Sequence, residues 1–143
     1  MASTLYASKV GSGVQPRANI ELTEVHATYS LSAALVVNDV IQMVKIPAGA
    51  TVISVTLAAA DLDSSGTPAI VLTVGDGDDT DRFITTAVGT IAQAGGVCRL
   101  DNPVGLNHKY TADDTIDVKV TTAPGTGATS GDIDLSVIYT MAQ

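Results

Sequence analysis

From Ile20 onward, apolar and polar residues alternate with period two rather than at helical spacing. In "GDIDLSVIYTMA", Ile133, Leu135, Val137, Tyr139 and Met141 share one parity, which predicts a long strand with one buried face. "DTIDVKVTT" repeats this with Ile116, Val118 and Val120. Ile116, Val118, Leu135 and Val137 are therefore expected to point into the core. "ATVISVTLAA" alternates less cleanly, and its parity puts Ile53, Val55 and Leu57 on one face. "PAIVLTV" is apolar on both faces, as a central strand would be. In "NIELTEVHATYSL" the apolar parity shifts between Leu22 and Val25, which predicts a bulge near Thr23–Glu24.

Turn chemistry separates these runs. "IPAGA" at Ile46–Ala50 reads as a tight turn between two strands, and "LDSSGTP", "GDGDD", "QAGG" and "APGTGATSG" are further breaks. "SLSAALVVNDVIQMV" has the length of a helix, but Val36, Val37, Val40 and Ile41 favour strand, with "SLSAAL" as a strand and Asn38–Asp39 as a turn. The spacing predicts an all-β protein: an antiparallel β-sandwich or jelly roll of about eight short strands, covering residues 20–143.

Residues 1–19 break the pattern and read as an extended N-terminal arm. They are small and polar, and Lys9 and Arg17 are their only charged side chains. Leu5, Tyr6, Lys9, Val10 and Arg17 are the candidate partner contacts of an arm that crosses onto a neighbouring subunit. The alternative is a disordered tail.

Composition sharpens the picture. Of 143 residues, 45% are hydrophobic and only 15% charged, with a net charge of −8. Soluble domains carry nearer a quarter charged residues, so the apolar surplus points to a subunit interface. The negative charge argues against a nucleic-acid partner. No stretch resembles a signal-peptide core or a membrane span, so synthesis and first assembly are expected in a cytoplasm, with no membrane partner. The single cysteine, Cys98, admits no intramolecular disulfide and reads as a small buried hydrophobe.

The densest chemistry is "VGDGDDTDRF", with Asp76, Asp78, Asp79 and Asp81 in one short loop. A calcium loop of the EF-hand type is half present at Asp61: Asp63, Ser65 and Gly66 follow in place, but Leu72 stands where the closing Glu belongs. A loop starting at Asp76 fails sooner. A looser site shared by Asp61, Asp63, Asp76 and Asp78 is the remaining metal candidate; otherwise no metal or cofactor is expected. A hydrolytic carboxylate pair needs two contrasting environments, whereas these aspartates read as one solvated hairpin tip, with Arg82 pairing to a near carboxylate. His26 reads as a solvated strand residue and His108 as a loop residue, neither with a nucleophile partner, and low aromatic content argues against a sugar-stacking pocket. An enzyme is not expected.

Taken together, "KIPAGA", "VGDGDDTDRFI", "DTIDVKV" and "GDIDLSVIYT" resemble small virion proteins of tailed bacteriophages, of the jelly-roll capsid decoration or cement type, over about Gln42 to Met141. The resemblance implies a homodimer or homotrimer bound to the major capsid protein on the outside of the virion, where it reinforces the shell. It supplies no catalytic or metal motif. Two other roles fit a β-sandwich as well: a carbohydrate- or receptor-binding head-fibre or adhesin module, and another virion component such as a tail protein.

Overall fold

The computed structural model describes residues 21–141, which form two antiparallel sheets packed face to face. Seven strands follow in chain order: β1 (Leu22–Ser30), β2 (Val40–Ile46), β3 (Ala50–Ala59), β4 (Val71–Gly75), β5 (Gly96–Arg99), β6 (Asp114–Thr122) and β7 (Asp132–Met141). Sheet A has the order β1-β7-β3-β5 and sheet B the order β2-β6-β4. This is the order of an eight-stranded jelly roll with its fifth strand reduced almost to nothing. What remains of that strand is a single bridge beside β4, where the Val74 amide donates to the Ile84 carbonyl at 3.1 Å and the Phe83 amide to the Val74 carbonyl at 2.9 Å.

The core lies between the sheets and has the expected parity. Ile116 and Val118 from β6 and Leu135 and Val137 from β7 are fully buried. They meet Val52, Val55 and Leu57 of β3 and Leu72 and Val74 of β4 in one cluster, closed at the rim by Phe83, Ile84 and Tyr110. The Pro47–Gly49 turn joins β2 to β3 as expected, with Gly49 at φ +89°, a conformation that a residue with a Cβ adopts only under strain.

Four local expectations are corrected. β1 pairs with β7 without interruption from Leu22↔Thr140 to Ser30↔Asp132, so it has no bulge; Leu22 simply faces solvent at the strand end. The irregularities fall instead in β2, between Gln42 and Val44, in β3, between Val52 and Ser54, and in β4, between Val71 and Leu72. The one in β3 turns Val52 inward and leaves Ile53 exposed on the outer face, away from Val55 and Leu57. "SLSAAL" is irregular rather than a strand, pinned by buried Leu31 and Leu35, although the turn at Asn38 is present with φ +70°. β4 is an edge strand of sheet B, not a central one. It is nonetheless buried on both sides, because the Phe83–Gln93 segment covers its free edge. Gly89 packs so tightly on the Leu72 carbonyl that a Cβ there would overlap it.

Candidate functional site

The two acidic loops lie at opposite ends of β4, and each buries one carboxylate. Asp63, 1% exposed, accepts five main-chain N–H bonds. Its Oδ2 takes the amides of Ala69 (2.7 Å), Ile70 (3.2 Å) and Gly125 (2.8 Å), and its Oδ1 those of Ser65 (3.2 Å) and Thr126 (2.9 Å). The carboxylate thus ties its own loop to the start of β4 and to the β6–β7 connection. Burial alone would raise its pKa, but the amides of Ala69, Thr126, Gly125 and Ser65 outweigh that and hold it well below the usual carboxylate range.

Asp76, 3% exposed, is held mainly by side chains. Arg82 donates from Nε to Oδ2 at 2.6 Å and from Nη2 to Oδ1 at 3.3 Å, and the Tyr110 hydroxyl donates to Oδ2 at 2.9 Å. The amides of Asp78 and Asp79 complete the shell at 3.2 and 2.9 Å. Burial raises the Asp76 pKa, and Arg82 and Tyr110 more than reverse it. Burial and then the Asp76 hydrogen bond push the Tyr110 phenol up. His108 packs edge-on to Tyr110, centroids 4.8 Å apart, and its Nδ1 lies 3.5 Å from Arg82 Nη1. Burial, then the Arg82 charge, lower its pKa, so the ring is favoured as neutral.

These contacts correct the reading of the acidic loop as one solvated tip. Asp78 is exposed, but Asp76 is the buried centre of an Asp76–Arg82–Tyr110 lock, and Arg82 has found the pairing expected of it. The structure also separates the four calcium candidates. Asp61 and Asp63 sit before β4 and Asp76 and Asp78 after it, about 20 Å apart at the rise of a strand. Moreover, the oxygens of Asp63 and Asp76 already accept N–H and O–H donors. Among the described residues, no three metal-ligating side chains converge. The acidic loops are fastenings of the fold.

The remaining candidates fall as follows. His26 is exposed on β1, beside Asp134 at 3.5 Å. Cys98 is only half-buried; desolvation, then Asp101, push its thiol up to about 11, which disfavours the reactive thiolate. Leu5, Tyr6, Lys9, Val10 and Arg17 lie outside the described residues. No helix among the described residues is long and apolar enough to cross a membrane.

The outer faces differ. On sheet A, Thr140, Ile138 and Ser136 of β7 stand beside Thr51, Ser54 and Thr56 of β3, an uncharged strip flanked on the β1 side by exposed Leu22 and by Glu24, which accepts from Ser136 Oγ at 2.8 Å. The outer face of sheet B is polar and holds a feature that residue patterns did not single out. Asp117 on β6 is 9% exposed and its Oδ1 has no hydrogen-bond partner; on neighbouring β4, Thr73 is buried with its Oγ1 likewise unpartnered. The alternation in "IDVKV" assigns Asp117 to the outer face, but nothing in it signals burial there.

No protein-family model and no curated protein sequence matches the chain. Solved structures do. A chain of the capsid of Ralstonia phage GP4 is 26% identical, with TM-score 0.77, over 93% of this chain and 94% of that one. A chain of the cyanophage Pam1 capsid asymmetric unit is 23% identical, with TM-score 0.78, over 99% and 100%. A chain of the acid-stable capsid of Helicobacter pylori bacteriophage KHP30 is more distant, 19% identical with TM-score 0.54, over 86% and 95%. The chain therefore has the fold of capsid-associated phage proteins along nearly its whole length, as the resemblance of its motifs implied.

Proposed function

We propose that this protein is a capsid decoration, or cement, protein: a homodimer or homotrimer that binds the major capsid protein on the outer face of a phage shell and stabilises it. The observation that carries this reading is the end-to-end likeness to a chain of the Ralstonia phage GP4 capsid. The site chemistry agrees, because the buried carboxylates of Asp63 and Asp76 are taken up by main-chain amides, Arg82 and Tyr110. The surface agrees as well: Leu22, Val97, Val104 and Leu106 are each more than half exposed. Side chains of this kind gain from being covered in an assembly. Many copies, each burying a standard contact of about 800 Å² per partner, hold a shell together without any single tight site.

In this reading the arm is a latch. Lys9 and Arg17 are the only charged side chains before Glu21, and every acidic residue lies at or after it. The test is binding to undecorated capsids. Full-length protein should occupy them in hundreds of copies per particle, whereas a chain lacking residues 1–17 should keep its fold and soluble oligomer but lose occupancy. A handful of copies would point to a tail part, and glycan binding without capsid binding to an adhesin module. Either result would replace the proposal.

A further inference from the structure

We infer that β1 is an interface strand, pairing antiparallel with β1 of a second copy across a two-fold axis through Val25. The two copies of sheet A, four strands each, then join into one continuous sheet. This rests on the homo-oligomer reading above and deepens it, because it names the contact and makes the oligomer a dimer.

Two open sheets have four edge strands, here β1 and β5 of sheet A and β2 and β4 of sheet B. Each edge exposes a row of main-chain N–H and C=O groups that invites another strand unless something blunts it. Three of the four are blunted. β4 is covered by the segment after it, with the Phe83 amide donating to the Val74 carbonyl. β5 is only four residues long and carries exposed Arg99. β2 is broken by the irregularity between Gln42 and Val44 and carries exposed Lys45. β1 has none of these devices. It runs for nine residues, "LTEVHATYS", without proline, glycine, lysine or arginine. It pairs with β7 without a bulge, and no other described strand pairs with its far edge.

The side chains along this edge point to its occupant. Val25 and Ala27 of β1 and Ile41 of β2 pack on the core but are only partly buried. β1 and β2 adjoin at this side of the sandwich, so the three form an apolar rim along it. A lone extended peptide would cover the edge but little of the rim. A second sandwich brought up edge to edge covers both.

Symmetry and charge then select the register. Directly opposite residues of an antiparallel pair share a face, so the two-fold axis passes through one residue of each copy. An axis through Val25 sets Glu24 opposite His26 of the partner subunit, twice, which is favourable. An axis through Glu24 would oppose two carboxylates, and one through His26 two imidazoles. An axis through Ala27 would leave Glu24 across from a serine. With Val25 on the axis, Leu22 to Thr28 pair in full and gain about six to eight main-chain hydrogen bonds.

The test is single-cysteine trapping with the full chain, without capsids, in a Cys98→Ala background. Directly opposite residues of an antiparallel pair have Cα atoms about 4.5–5.5 Å apart, within disulfide range. Val25→Cys should therefore give disulfide-linked dimers on mild oxidation. It should do so at least about tenfold faster than Thr23→Cys or Ala27→Cys, each offset from its own copy by about 13 Å along the strand. Mixing Thr23→Cys with Ala27→Cys chains should link the two kinds. So should mixing Leu22→Cys with Thr28→Cys, both at exposed positions that leave the rim intact. Sedimentation of the unsubstituted chain should show a dimer, which Glu24→Lys weakens about tenfold by setting an edge lysine against His26 of the partner subunit. A monomer or trimer, a dimer indifferent to Glu24→Lys, or trapping that does not peak at Val25 would overturn the proposal. Since no capsid is present, failure here with capsid occupancy intact removes only the β1 interface and leaves the decoration role standing.

Discussion

Asp63 and Asp76 stand at opposite ends of β4, both in acidic loops containing glycine and both almost completely buried. In sequence they look interchangeable, but they are held by different chemistry. Asp63 accepts only main-chain amides, from three separate segments. Asp76 accepts an arginine, a tyrosine hydroxyl and two amides of its own loop. The difference decides how each can be disrupted. Main-chain donors survive any substitution except proline, so the Asp63 cradle is broken most directly at Asp63 itself. The Asp76 lock can be opened from either end. It can also be replaced whole, since a buried ion pair is often no more stabilising than well-packed apolar residues of the same volume.

The largest effect is expected at Asp63. Asp63→Asn puts an NH₂ group among five N–H donors and leaves part of the cradle without an acceptor, so the variant should not accumulate as folded protein. Normal folding yield and an unchanged melting curve would show that the cradle is dispensable. Next comes the Asp76 pair. Arg82→Met or Asp76→Asn alone should cost about 3–5 kcal/mol in denaturant unfolding, and the double variant should recover part of that loss. Additive losses would mean that the two residues do not act as a unit. Tyr110→Phe keeps the ring against His108 and removes only the hydroxyl, for a loss of roughly 1.5–3 kcal/mol.

Acid sharpens the same comparison. Both carboxylates have folded-state pKa values below the unfolded value of 3.8, so each contributes stability that is present above that value and lost as the pH falls through it toward the folded pKa. Stability should therefore fall as the pH drops below about 4, and Asp76→Asn should flatten part of that fall. The smallest effects are expected at exposed Asp78, where Asn should change stability by less than about 0.5 kcal/mol. Chelator should likewise leave the melting temperature unchanged, because the acidic loops are fastened by protein donors. A fall of many degrees with EDTA would return calcium to these loops.

The strand pattern was legible because a half-buried strand must alternate. The Ile116–Val120 and Ile133–Val137 parities in β6 and β7 follow from the order of residues alone. The turns at Pro47–Gly49 and Asn38 were legible because few residues tolerate those backbone angles. Burial across the chain was not. Whether Asp76 is solvated depends on Arg82, six residues on, and on Tyr110, brought in from a distant loop. The same holds for β4, which has the composition of a central strand and is an edge strand covered by the segment after it, and for Ile53, turned outward by an irregularity that parity does not register. The sequence by itself determined an all-β sandwich with a charge-asymmetric N-terminal segment, since period two and the placement of Lys9, Arg17 and the aspartates need no partner to be read. Only the tertiary structure decided which carboxylates became fastenings and that Asp117 was left unpaired on an outer face, because burial and hydrogen-bond partners are set by residues far apart in the chain.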